Sequence, residues 1–127
     1  MLPELDIIEE VKDKVLILHL NGDITKASGE YLLRYKEWDQ SLGNEIGGVA
    51  LNFSKVDYIN SSGIASLIRL ARLLSKGPYP VGCYNLTFHY EKLFKMVGLL
   101  KIITIYPSEW SAVEELSKHG DGSPASN

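Results

Sequence analysis

Residues Val56–Leu74 read VDYINSSGIASLIRLARLL, and a short apolar strand, Val49–Phe53, leads into them. From Ser61 onward, apolar residues recur at Ile64, Leu67, Ile68, Ala71 and Leu74. That spacing predicts an amphipathic helix from about Ser62 to Ser75 that buries this stripe. Asn60, Ser61 and Ser62 all suit the N-cap, where a side-chain oxygen accepts a bond from an unpaired helix N–H. Two hydroxyls therefore sit where a strand's exit loop meets a helix start. The dipole and the free N–H groups favour an anion there. A serine so placed can be phosphorylated without melting its own helix. The residues alone leave two readings, capping serines or a phosphoacceptor.

On the other side of the same helix, Ser62, Ser66, Arg69, Leu73 and Lys76 are predicted to point away from the buried stripe. Leu73 stands out as an apolar residue on a basic outward face, where it could anchor a partner.

Upstream, Leu5–Val11 and Val15–Leu20 flank Lys12-Asp13-Lys14 and read as a hairpin. Asn21-Gly22-Asp23 closes the second strand, and Asp23, Ile24 and Thr25 form the loop after it. Ser28–Leu42 carries Tyr31, Tyr35, Trp38 and Leu42 on one helical stripe. Gly43–Gly48 reads as a loop. Downstream, Lys76-Gly77-Pro78 stops the Ser-Ser-Gly helix. Val81–Tyr84 is a fourth strand, and Phe88–Val97 a third helix closed by Gly98, with Tyr90, Leu93, Phe94 and Val97 in register. Ile102–Tyr106 is a fifth strand, dense in β-branched residues. Ser108 caps a last helix whose expected buried stripe is Trp110, Val113 and Leu116.

Strands alternating with helices predict an α/β domain with a mixed, mostly parallel sheet of four or five strands and about four helices. The first strand is antiparallel to the second, because so short a turn permits nothing else. One domain spans residues 1–118. Residues 119–127 are small and polar and read as a disordered tail.

Composition narrows the function. The 127 residues carry a net charge of −3 with no long basic run, which argues against nucleic acid as a partner. No apolar run reaches the ~20 residues that a membrane helix needs, and the acidic start lacks a signal-peptide pattern. The single Cys83 falls in a predicted strand, reads as a buried small apolar residue, and fits a reducing, cytoplasmic setting. His19, His89 and His119 are scattered and make no metal-ligand spacing. No P-loop, dinucleotide fingerprint or G-x-S-x-G elbow is present. A triad of Ser61, His89 and Asp57 has only its residue types in favour. The chain reads as a non-enzyme without cofactor or metal.

At this point the residues carry a resemblance. Val15–Leu20 with Gly22, the segment VALNFSKVDYINSSGIASL, the segment FKMVGLLKIITIY and the closing helix Pro107–Leu116 follow one another in order and spacing. The chain resembles a STAS domain of the anti-sigma factor antagonist (anti-anti-sigma) type over about Leu5–Leu116. The resemblance implies the STAS fold and a module that binds a partner protein without catalysis. In that family the partner is a serine-kinase anti-sigma factor. The unphosphorylated module binds this kinase and frees the sigma factor. The kinase phosphorylates the first serine of an Asp-Ser-Ser/Thr-Gly motif, and a phosphatase reverses this. The first serine corresponds to Ser61. By the resemblance Asp23, Ile24 and Thr25 border the same surface as the outward face of the helix, so the expected partner-binding set is Asp23, Ile24, Thr25, Asn60, Ser61, Ser62, Ser66, Arg69 and Leu73, and the expected state is monomer or weak dimer.

Three positions depart from the family pattern. Asn60, Thr25 and Asn52 stand where aspartate is often found. Each keeps hydrogen-bonding capacity and loses a negative charge, so Asn60 alters the field beside Ser61. Two other STAS roles are compatible with the sequence, a scaffold subunit of a stressosome-like assembly and a component of a lipid-transport ATPase complex.

Overall fold

A computed structural model describes residues 5–118. The expected tail at 119–127, with His119, lies outside them. The elements are β1 (Leu5–Lys12), β2 (Val15–Gly22), α1 (Lys26–Tyr35), β3 (Gly48–Lys55), α2 (Ser61–Ser75), β4 (Val81–Tyr84), α3 (Phe88–Met96), β5 (Ile103–Ile105) and α4 (Glu109–Ser117), with a 3₁₀ turn at Leu99–Lys101. They form one five-stranded sheet in the order β1-β2-β3-β4-β5. β1 is antiparallel to β2, and the remaining neighbours pair in parallel. The expected mixed sheet with four helices is therefore present.

The β1–β2 hairpin turns on Asp13 and Lys14, both left-handed at φ 48° and 70°. That pair of positive values is the tight hairpin geometry whose twist matches the strands it joins. Along β2 and β3, alternate residues face opposite sides. Leu16, Leu18, Leu20, Val49, Leu51 and Phe53 face the core under α1, α2 and α3. Val15, Ile17 and Ala50 face the other way, where Ala112, Val113 and Leu116 of α4 cover them together with Tyr84. Phe53 and Phe94 meet edge-to-face at 5.8 Å, which ties α3 to the central strand. Cys83 is buried as expected, and burial pushes its thiol up to about 12.

The first helix ends earlier than its pattern suggests. α1 stops at Tyr35, and Lys36 is extended at φ −144°. Trp38 is buried but lies beyond the helix, where its indole N–H donates to the Leu32 carbonyl at 2.9 Å. The indole thus satisfies a carbonyl that the helix end leaves without a partner. On α2 the buried arc is Ile64, Leu67, Leu70, Ala71 and Leu74, and Ile68 is only half-buried. α2 packs against α1 as well as against the sheet. On α4, Trp110 is 72% exposed and Ala112 takes its place against the sheet. On α3, Val97 is 40% exposed. Gly98, left-handed at φ 80°, ends that helix as the sequence predicts.

Candidate functional site

The C-terminal ends of β2 and β3 set the site. Beyond β2 and β3 the two chains stay together through a parallel bridge between Ile24 and Ile59. Ile24 N–H donates to the Tyr58 carbonyl at 2.9 Å, and Asn60 N–H donates to the Ile24 carbonyl at 3.1 Å. The loop Asp23–Thr25 is thereby fixed beside the start of α2. Gly63 makes this approach possible. A Cβ there would lie 2.1 Å from the Ile24 carbonyl oxygen. Glycine in the Ser-Ser-Gly run is thus a steric requirement of two adjoining loops.

Asn60, rather than either serine, caps α2, its side chain accepting from Gly63 N–H at 2.8 Å. Ser61 and Ser62 then occupy the first two helical positions. Ser61 is exposed, and its hydroxyl has no hydrogen-bond partner among the described residues. Ser62 is half-buried. The neutral amide of Asn60 performs the capping that a carboxylate could perform, without a charge next to Ser61. Thr25 and Ser28 cap α1 reciprocally, and Ser28 Oγ also donates to the Asp23 carbonyl at 2.7 Å, which stiffens the neighbouring loop.

Beside Ser61 runs an apolar groove of about 380 Å³. Ile64, Ala65 and Ile68 of α2 form one wall, and Leu93 with Val97 forms the other. Ser61 and Asn60 lie at the N-terminal end of the first wall. The exposed Tyr58 precedes them in the entering loop.

Residues 6–112 match the family model of the STAS domain. The chain belongs to the STAS domain family. Solved structures of several other proteins share the fold. An anti-sigma factor antagonist from Mycobacterium paratuberculosis is 18% identical, with 88% of this chain and 93% of that chain covered and a TM-score of 0.71. The Bacillus cell fate determinant SpoIIAA in its phosphorylated form is 19% identical, with 87% and 98% covered and a TM-score of 0.62. A murine solute carrier 26 family anion transporter is 14% identical, with 92% of this chain but 22% of the transporter covered and a TM-score of 0.73. At such identities the likeness is one of fold.

The expected partner-binding residues of this STAS domain separate into three groups. Asp23, Thr25, Asn60, Ser61 and Ser62 gather at the bridged loops. Arg69 and Leu73 lie further along α2, with Arg69 exposed. The other two are corrected by burial. Ser66 is 6% exposed because α1 crosses close by, with Gly29 leaving no room for a Cβ within 2.4 Å of Ser66 Oγ. Ile24 is fully buried under the bridge and offers only backbone. Leu73 is half-buried against the core, not wholly outward. The groove walls Leu93 and Val97 are absent from the expected set. Their signal was an apolar stripe on α3 wider than the core could cover.

The opposite face of the sheet carries polar side chains. Asn52 Oδ1 accepts from Ser54 N–H at 3.0 Å, so its amide nitrogen faces His19 Nδ1 at 2.8 Å. His19 Nδ1 is then the acceptor, and Nε2 carries the proton toward Glu10 at 2.8 Å. Glu10, His19 and Glu109 bring ligand atoms within 4.8 Å of one another, a grouping not visible in their spacing. Lys12 already supplies a cation there, with Nζ 2.6 Å from Glu109 and 3.6 Å from Glu10. The Lys12 ammonium, with the Tyr84 hydroxyl, holds the Glu109 carboxyl below its ordinary value, and burial first of all pushes the Tyr84 phenol up. Ser61, Asp57 and His89 share no hydrogen bond among the described residues, and the His89 ring packs edge-on to Tyr90 at 4.9 Å.

Proposed function

We propose that this STAS-domain protein is an anti-sigma factor antagonist switched by phosphorylation at Ser61. In the unmodified state it binds a serine-kinase anti-sigma factor and releases the sigma factor. The kinase then modifies Ser61, and a phosphatase resets it, all in the cytoplasm. One observation carries the reading. Ser61 is an exposed hydroxyl, freed from capping by Asn60, at the rim of an apolar groove. The Bacillus relative solved in a phosphorylated form supports the same chemistry on this fold.

A phosphate on Ser61 adds about −1.5 to −2 charges and three acceptor oxygens. It meets the positive end of α2, so the domain tolerates it. The partner surface does not, because new bulk and charge enter a close apolar contact. A loss of only ~1.4 kcal/mol lowers affinity tenfold.

The test is incubation with the cognate kinase and ATP, followed by mapping of phosphate by mass spectrometry. Phosphate belongs on Ser61. Ser61→Ala should bind the kinase constitutively, and Ser61→Asp should bind at least tenfold more weakly with an unchanged melting profile. Phosphate on Ser62 alone, or none on the wild type, would overturn the assignment.

A further inference from the structure

A second feature lies further along α2. Arg34 on α1 and Arg69 on α2 line one depression of about 220 Å³, together with Glu30 and Leu33. Both arginines are exposed. Neither makes an ion pair or a side-chain hydrogen bond among the described residues, although Glu30 shares the depression. The local charge opposes the global one. The chain has a net charge of −3, yet Ser61–Lys76 contains Arg69, Arg72 and Lys76 and no acidic residue.

The two arginines are carried by helices that pack directly on each other. Gly29 lets α1 approach until Ser66 Oγ occupies the place of its missing Cβ, so the two helices are held in direct contact. The planar guanidinium fork suits a carboxylate, which accepts two parallel bonds from it. Half-buried Leu33 lies in the same depression, and Leu73 follows Arg69 by one turn. The surface thus offers charge with apolar ground beside it, the combination found at interface anchors.

We infer that Arg34 and Arg69 form a clamp for a carboxylate-bearing segment of a partner protein. The inference rests on the antagonist reading for the partner's identity, and it names the chemistry of that partner's second contact. Eight residues of helix separate Ser61 from Arg69, about 12 Å at ~1.5 Å per residue. An ordinary interface of ~800 Å² per partner covers both. A polyanion such as nucleic acid fits less well, because the two arginines belong to no long basic run that could track a phosphate backbone.

The experiment is an NMR titration of the full chain with a synthetic peptide rich in glutamate and leucine. The Arg34 and Arg69 side-chain N–H signals and the Leu33 and Leu73 methyls should shift saturably. The same peptide with glutamine for glutamate should leave them unmoved, as should the Arg34→Glu/Arg69→Glu variant. Ser61→Asp should respond as the wild type does. In parallel, Arg34→Glu/Arg69→Glu should bind the anti-sigma kinase at least tenfold more weakly and with less salt dependence, at unchanged melting temperature. Absence of shifts at the two arginines, or equal shifts from the glutamine peptide or an oligonucleotide, would overturn the clamp. A wild type that binds no kinase while the peptide response holds would overturn the antagonist reading alone.

Discussion

Gly63 shows how one residue without a side chain decides whether the site exists. The Ile24 carbonyl receives the Asn60 N–H, and this bond holds the two loops together. Gly63→Ala puts a carbon 2.1 Å from that oxygen, so the loops must separate. The expected cost is about 1–3 kcal/mol, in the range of overpacked cores, read as a lower denaturant midpoint. Kinase binding should fall as well, even with Ser61 intact, because the Asp23–Thr25 loop loses its place. A variant as stable and as tightly binding as the wild type would refute this account. The sequence announced a strand-to-helix junction here, since Asn60, Ser61 and Ser62 are all capping types. It could not say which of the three caps, because that choice depends on where the helix begins relative to Ile24. Ser66 was less legible still. A serine among arginines looks solvated, and only the approach of Gly29 from another helix buries it.

Among the elements, α2 has the most to lose. Leu67 is fully buried, and Leu67→Ala should cost ~2–5 kcal/mol in urea unfolding. Ile68→Ala should cost less, since Ile68 stands half in the groove. Equal losses at the two positions would mean that the helix is rotated from the orientation described. Periodicity located every helix, because one face of each meets the sheet. It placed the rotation of each helix less well. A stripe of Ile64, Leu67 and Ile68 fits a helix with one neighbour, and α2 has two, the sheet and α1. Periodicity also overran α1. Trp38 and Leu42 continue its rhythm, but Trp38 lies beyond the helix and donates its indole N–H back to the Leu32 carbonyl. Trp110 fits the period of α4 and still lies in solvent, because Ala112, Val113 and Leu116 suffice to cover the back of the sheet.

At the scale of the molecule, α4 ties the end of the described chain to its beginning. Lys12 and Glu109 are 97 positions apart and joined at 2.6 Å. Glu109, beside Lys12 and Tyr84, and Glu9, beside Tyr35 and Lys36, both titrate below the ordinary value of 4.5. Their folded values lie under the unfolded ones, so each stabilises the fold at neutral pH. That contribution fades as the pH falls through the folded values. Acid unfolding followed by circular dichroism should therefore show a limb below about pH 4.5. Glu109→Gln should flatten it, modestly because the pair is partly solvated; an unchanged limb would place the acid sensitivity elsewhere. The strand order has a different consequence, for synthesis. Every strand pairs with its neighbour in the chain, so the sheet can grow edge to edge as the polypeptide leaves the ribosome. No strand waits for a later one to be inserted between two already made, and the short loop closures this requires favour rapid folding. α4 reaches back furthest, across β2, β3 and β4. Until it arrives, Val15, Ile17, Ala50 and Tyr84 lie open to water on the nascent domain. The last described helix is thus the one that shields this face of the newborn chain from aggregation.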